Sequence, residues 1–190
     1  MAGYRSSFSF EEIVEGILNG PGDCKIFGST VYKWKARGEK VDDIDCLCDN
    51  MEEASKNLQE QFGAKIDYFS ELREIDFENY DRLTIGNIGI DLISSKEYYE
   101  RHLKKNNFIN SVHLTKDGLR HSRAGLSNDN AETVDFIMRN LAEGRYCPFS
   151  NPREKDTKYF EKFQIIPEEE CRKYGLGIEK GGFWSWFFKN

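Results

Sequence analysis

Three aspartates are the side chains of this sequence best suited to chemistry. Asp43 and Asp45 flank Ile44, so both would lie on one face of a strand. Asp91 sits in the apolar run from Ile88 to Ile93, where an unpaired carboxylate would be costly to bury. Carboxylates grouped in this way usually hold something positively charged.

A glycine–serine pair, Gly28-Ser29, closes an earlier apolar run. Because glycine has no Cβ, the backbone N–H groups around Gly28 can approach an anion closely. A helix is predicted from Thr30 to Arg37, with its positive N-terminal end beside Ser29. Lys33 and Arg37 would share the helical face of Ser29 and could meet a triphosphate. The alternative for these two cations is a solvated basic face.

The order of these parts resembles the DNA polymerase β-type nucleotidyltransferase superfamily. Its signature is an apolar residue with Gly-Ser, a spacer, an acid-apolar-acid strand and a third acid on a later strand. The matching parts here are Phe27-Gly28-Ser29, a spacer from Thr30 to Asp42, Asp43-Ile44-Asp45, and Asp91 within Ile90-Asp91-Leu92. The alternative is that Asp43 is a turn residue and Asp91 a charge at a strand edge.

The resemblance implies a magnesium-dependent enzyme that moves a nucleoside monophosphate from an NTP to an acceptor hydroxyl. Asp43, Asp45 and Asp91 would be its catalytic residues and would hold two Mg²⁺ ions, with Mn²⁺ as a substitute. Asp45 would be shared between the two ions, and Asp91 would lie nearer the attacking hydroxyl.

The resemblance also implies a nucleotide site. Gly28 and Ser29 would hold the β- and γ-phosphates of an NTP such as ATP. Lys33 or Arg37 would offset the charge that develops as pyrophosphate leaves.

The pattern of the chain predicts an α/β (α+β) fold: a small mixed sheet with flanking helices and a small C-terminal helical extension. The resemblance implies that this sheet is a palm-like core. Ser9 and Glu12 form a capping-box motif before a predicted helix. The predicted helices are residues 10–18 and 51–62, and the predicted strands are 24–27, 43–48, 64–69, 81–85 and 88–93, the last two joined by a turn at Gly86-Asn87. Residues 1–125 are expected to form the nucleotidyltransferase core and residues 126–190 an extension packed on it.

The second half of the chain is less regular. The predicted elements are a helix at 96–103, a hairpin around Asp117-Gly118, a helix starting near Asn130 and ending at Gly144, a loop at 145–156, and short helices at 159–163 and 167–174. The Phe108-Ile109-Asn110 segment faintly resembles class II CCA-adding enzymes and bacterial poly(A) polymerases. The aromatic tail at 183–188 is expected to dock on the core or on a partner.

Composition limits the classes of protein that fit. The chain has 190 residues, a net charge of -6 and 32% charged residues. No apolar run approaches the roughly 20 residues that cross a bilayer, and no signal-peptide pattern follows the first residues. We therefore expect a cytoplasmic protein with no membrane partner. The excess of acidic over basic residues argues against a processive polymerase, which needs a basic surface to bind the nucleic-acid backbone.

The five cysteines form no C-x-x-C pair, and only three histidines accompany them, which argues against a zinc site. Cys46 and Cys48 alternate with Asp43 and Asp45 and should point into the core. All five are expected to be reduced.

Two questions stay open at the level of sequence. The chain could be an active transferase, a catalytically inactive nucleotide-binding or interaction module of the same fold, or an unrelated interaction module with incidental acids. The size and charge of the chain slightly favour the hydroxyl of a small molecule or protein as the acceptor, and an RNA 3′ end is the alternative.

Overall fold

The computed structural model describes residues 7–68, 79–94, 108, 111–121, 131–148, 158 and 160–176. The chain divides into two compact units. The first comprises Met1–Thr30, Lys40–Lys96 and Leu114–Gly118, and the second comprises Val31–Glu39, Glu97–His113 and Leu119–Asn190. The expected boundary between residues 125 and 126 stays a prediction.

The first part of the chain follows the predicted order of elements. These are α1 (Phe10–Asn19), β1 (Cys24–Phe27), a π-helix (Thr30–Lys35), β2 (Asp43–Cys48), α2 (Met51–Phe62), β3 (Lys65–Ile66), β4 (Tyr80–Ile85) and β5 (Ile88–Ile93). Ser9 and Glu12 form the predicted capping box of α1. The helix predicted after Ser29 is present, but it begins with π-type turns, a form frequent at functional sites.

The strands form a seven-stranded sheet in the order β3-β4-β5-β2-β1-β6-β7, where β6 is Val112–Thr115 and β7 is Gly118–His121. The pairs of β2 with β1 and of β4 with β5 are antiparallel, whereas β2 and β5 run parallel. The mixed sheet with flanking helices confirms the predicted fold class. The turn between β6 and β7 lies at Lys116 and Asp117, one residue earlier than predicted.

One face of the sheet in the first unit carries the core. Ile44, Cys46 and Cys48 alternate along β2 with half-buried residues and are themselves buried. On α2, Leu58 is buried and the Ser55 hydroxyl donates to the Asp81 carboxylate of β4 at 2.9 Å. The helices thus cover this face, and the alternate residues of β2, β4 and β5 are left on the other face.

The second unit contains the later helices, α3 (Ala131–Ala142) and α4 (Glu168–Lys173), and a short parallel pair, β8 (Arg145–Tyr146) with β9 (Gln164–Ile165). Both helices confirm predicted ones. The loop predicted at 145–156 is wrong at its start, because residues 145 and 146 pair with a later strand that local sequence does not reveal. The predicted helix at 96–103, residues 109 and 110 of the CCA-like segment and the tail at 183–188 lie outside the described residues.

Four of the five cysteines are paired, so the expectation that all are reduced is wrong. Cys24 and Cys48 face each other on β1 and β2 and form one disulfide, and Cys147 and Cys171 form the other. Cys46 is the free thiol, and it is buried as predicted. The Cys24–Cys48 disulfide was not predicted because the register of β1 and β2, and not closeness in the sequence, brings these two residues together.

The described helices include none that is long and apolar enough to cross a membrane.

Candidate active site

The three aspartates are brought together by the parallel pairing of β2 and β5. Asp45 is directly opposite Asp91, and Asp43 is opposite Gly89. Residues directly opposite in a ladder share a face, and so do residues two apart on one strand. Asp43, Asp45 and Asp91 therefore project from one face of the sheet, opposite to the face that carries Ile44, Cys46 and Cys48, as the sequence predicted.

The turn after β1 lies against Asp45. Gly28 has a left-handed backbone, with φ of 68°, which favours glycine. A Cβ at this position would lie 2.6 Å from Oδ2 of Asp45. The absence of a side chain at Gly28 is thus what lets the turn backbone and the Asp45 carboxylate sit side by side.

Two side-chain hydroxyl groups hydrogen-bond this turn to the start of β2. Ser29 Oγ and Thr30 Oγ1 each donate to the main-chain carbonyl of Asp43, both at 3.4 Å. Thr30 is fully buried, whereas Ser29 is half-buried. Ser29 therefore helps to position the acidic strand, and its predicted contact with a phosphate stays a prediction.

Sequence reasoning missed a fourth charged residue of the site, Arg82 on β4. Its Nη1 donates to both carboxylate oxygens of Asp91, at 2.7 and 2.8 Å, and its Nη2 donates to Oδ1 of Asp43 at 2.8 Å. The signal was available in the sequence. A two-residue turn at Gly86-Asn87 pairs Ile85 with Ile88 and so, by counting back, places Arg82 opposite Asp91.

Two neighbours complete this cluster. The Tyr80 hydroxyl donates to Oδ1 of Asp91 at 2.5 Å. Partial burial of the guanidinium lowers the pKa of Arg82, but the charge of Asp91 and hydrogen bonds to Asp91, Asp43 and Tyr80 outweigh it, so the pKa lies above its ordinary value. Arg82 is therefore a permanent cation among these acids.

The carboxylates are the oxygen ligands that Mg²⁺ prefers, and they lie on one face of the sheet, so the chemistry of the donor set suits this ion. The positions of these side chains in this structure, however, do not form a metal site. Among the described residues, no group of three or more His, Cys, Asp or Glu side chains is placed to hold a metal ion. Arg82 binds two of the three aspartates instead.

The two predicted phosphate-binding cations belong to the second unit. Lys33 Nζ lies 5.8 Å from the centroid of the Tyr32 ring. The Arg37 guanidinium pairs with Glu39 at 2.5 Å, donates to the Leu141 carbonyl at 3.1 Å and lies 4.8 Å from the centroid of the Phe163 ring. Arg37 would have to exchange some of these contacts to bind a triphosphate.

Comparisons with known proteins address the fold. Neither a protein-family model nor a curated protein sequence matches the chain. A solved complex of a CCA-adding enzyme with CTP is 16% identical, with a TM-score of 0.52, and the match covers 88% of this chain and 43% of the other. A tRNA-processing enzyme in an apo form is 19% identical with a TM-score of 0.46, over 75% of this chain and 37% of that one.

A third match is a tRNA nucleotidyltransferase complexed with a primer tRNA and an ATP analogue, 18% identical with a TM-score of 0.42, over 65% of this chain and 34% of that one. The chain thus spans less than half the length of each of these three proteins. At such low identity the similarity to the CCA-adding enzyme concerns the fold alone. The comparison with the CCA-adding enzyme supports a mixed α/β fold of the kind seen in that solved structure.

Proposed function

We propose that this chain is a Mg²⁺-dependent nucleotidyltransferase that transfers a nucleoside monophosphate from an NTP to an acceptor hydroxyl and releases pyrophosphate. The observation that carries the proposal is the placement of Asp43, Asp45 and Asp91 on one face of two adjacent strands, with Asp45 beside the left-handed turn at Gly28. That placement provides carboxylates for a hard cation and a side-chain-free backbone for a phosphate within one small area.

Each acidic residue has a defined task in this proposal. Bound Mg²⁺ would supply positive charge at the attacking and leaving oxygens of the phosphoryl group. Asp43 and Asp45 on β2 and Asp91 on β5 would hold it. Tyr80 and Arg82 keep the Asp91 carboxylate in one orientation through the hydrogen bonds described above.

The nucleotide binds with its phosphates toward the Gly28 turn. Main-chain N–H groups there would bind the β- and γ-phosphates, together with the Ser29 hydroxyl once it exchanges its hydrogen bond to the Asp43 carbonyl for one to phosphate. Lys33 or Arg37 would offset the charge of departing pyrophosphate, as the resemblance implies.

For the acceptor we favour an RNA 3′ end. The CCA-adding enzyme with the similar fold is described with CTP, and the Phe108-Ile109-Asn110 segment faintly resembles that class of enzyme. The competing acceptor is the hydroxyl of a small molecule or of a protein, which the acidic net charge of -6 favours.

The second candidate function is a catalytically inactive nucleotide-binding module. The observation in its favour is Arg82, which binds Asp43 and Asp91 where an active site would need them for metal. In this version the nucleotide binds at Gly28 and Ser29, and no transfer follows.

One experiment separates these candidates. The protein is incubated with Mg²⁺ and each labelled NTP in turn, with a tRNA lacking its 3′ end, a mixture of small polyols, or no acceptor. Pyrophosphate release that depends on the RNA supports the favoured proposal, and release with the polyols alone supports the competing acceptor. NTP binding measured by calorimetry without release under any condition supports the inactive module.

A further inference from the structure

Arg82 is placed between the aspartates rather than beside them. We propose that Arg82 is a resident counter-cation of the aspartate triad and that a divalent cation binds by displacing its guanidinium from Asp43. This inference rests on the proposed function, because it concerns the same site. The Arg82 guanidinium and the divalent cation compete for the aspartates, and this competition sets the metal affinity of the site.

The geometry is the first argument. Nη1 of Arg82 is committed to Asp91 and Nη2 to Asp43, so one planar guanidinium bridges the two strands that carry the acids. A metal ion bound through Oδ1 of Asp43 would take the place of the hydrogen bond from Nη2 of Arg82, and its positive charge would repel the guanidinium. The guanidinium and the ion therefore cannot both keep their full sets of contacts.

Gly89 is the second argument, because it makes room for this bridge. Gly89 lies directly opposite Asp43 on β5, between Asp43 and the end of the Arg82 side chain. A Cβ there would collide with Nη2 of Arg82 and would lie 2.6 Å from Oδ1 of Asp43. The path of the guanidinium to Asp43 thus depends on a residue without a side chain.

The exposed fractions of the side chains indicate whether a metal ion displaces Arg82 from Asp43 or from Asp91. The side chain of Asp43 is 51% exposed and that of Asp91 only 14%, with Arg82 at 28%. Water screens the Asp43 contact more strongly, and it is a single hydrogen bond, whereas Asp91 is held twice by Arg82 and once by Tyr80. Displacement therefore occurs at Asp43, and the Arg82–Asp91 pair persists with metal bound.

The test measures Mn²⁺ affinity directly, by paramagnetic resonance of the free ion, without nucleotide or turnover. The variants are Arg82→Met, which removes the cation at similar length, and Arg82→Lys, which keeps the charge but cannot bridge two carboxylates as a fork. Lys56→Met is the control, because it removes one cation from α2, where the side chain is 75% exposed.

We expect the dissociation constant for Mn²⁺ to fall roughly tenfold in Arg82→Met and by a smaller factor in Arg82→Lys, and to stay at the wild-type value in Lys56→Met. In melting experiments Arg82→Met should lose stability without metal and gain more from added Mn²⁺ than the wild type does. A dissociation constant in Arg82→Met equal to or above that of the wild type would overturn the inference. Should that variant not fold, the same outcome in Arg82→Lys would overturn it.

Failure of this inference is separable from failure of the proposed function. If the wild type releases pyrophosphate but the dissociation constants do not differ, Arg82 is not a competitor and the function stands. If no variant transfers a nucleotide but Arg82→Met binds Mn²⁺ more tightly, the counter-cation role stands and the enzymatic proposal falls.

Discussion

Arg82 on β4 and Asp91 on β5 are directly opposite in register, and a single guanidinium nitrogen of Arg82 contacts both carboxylate oxygens of Asp91. Tyr80 reaches the same carboxylate from two residues away along β4. Asp91 is therefore fixed by two partners on one neighbouring strand before any ligand arrives. The orientation of the third acid is a property of the β4–β5 hairpin.

Tyr80→Phe removes the hydrogen bond from the Tyr80 hydroxyl to Asp91 and so measures how much that bond stabilises the folded protein. The hydroxyl donates to a charged, largely buried carboxylate, so its loss should lower the free energy of unfolding by about 2 kcal/mol. Thr84→Val is the matched control on the same strand, because the Thr84 hydroxyl makes only a 3.5 Å exposed bond. Equal denaturant midpoints for the two variants would show that the Tyr80 hydroxyl does not stabilise the site.

The sequence predicted the elements that carry the acids because their signals are local. The capping box at Ser9, the strand of Asp43 to Cys48 and the hairpin turn at Gly86-Asn87 are each set by a few adjacent residues. The placement of Asp91 beside Asp45 followed from a motif rather than from local pattern. The structure confirms that placement, and the catalytic roles stay proposals.

What the sequence did not reveal depends on pairing between distant segments. The Cys147–Cys171 disulfide and the β8–β9 pair need contacts that no local pattern encodes. Arg82 differs, because the hairpin register was predictable and would have placed it opposite Asp91. The motif consists of a glycine–serine pair and acids and contains no arginine, so it did not point to Arg82.

Gly28→Ala should affect the site more than the same change in an ordinary turn. Gly86 is the matched control, since its φ of 61° resembles the 68° of Gly28 and a Cβ there would meet nothing within 4 Å. Both variants should lose about 1 kcal/mol of stability from backbone strain. Only Gly28→Ala should also weaken NTP binding, measured calorimetrically, because its Cβ displaces Asp45. Equal losses of affinity in both variants would contradict a phosphate site at Gly28.

The cysteine pairing predicts a simple labelling pattern. With iodoacetamide the native protein should incorporate no label, because Cys46 is fully buried and the other four cysteines are in disulfides. Denaturation without reductant should expose one thiol, and reduction should raise the number to all five. Mass spectrometry counts the labels, and five labels without reductant would show that the disulfides do not form.

The Cys46 thiol should make the free energy of unfolding depend on pH. Burial, and then the charges of Asp45 and Asp91, raise the pKa of the Cys46 thiol in the folded protein. The unfolded thiol ionises above a pH of about 8.5 while the folded one stays protonated, so the unfolded state binds fewer protons. The free energy of unfolding should therefore fall as pH rises from 8.5, and less steeply in Cys46→Ala. Parallel curves for the two proteins would contradict this assignment.

The most direct test of the account compares two neighbouring aspartates. Asp45→Asn removes a charge from the acidic face at nearly constant volume, whereas Asp42→Asn changes an exposed side chain just before β2 and leaves the bond from the Gly89 N–H to the Asp42 carbonyl. The account predicts Mg²⁺-dependent pyrophosphate release by the wild type and by Asp42→Asn, and a loss of at least about a hundredfold in Asp45→Asn with an unchanged circular dichroism spectrum. Release by Asp45→Asn at the wild-type rate, or no release by the wild type with any NTP and acceptor, would contradict it.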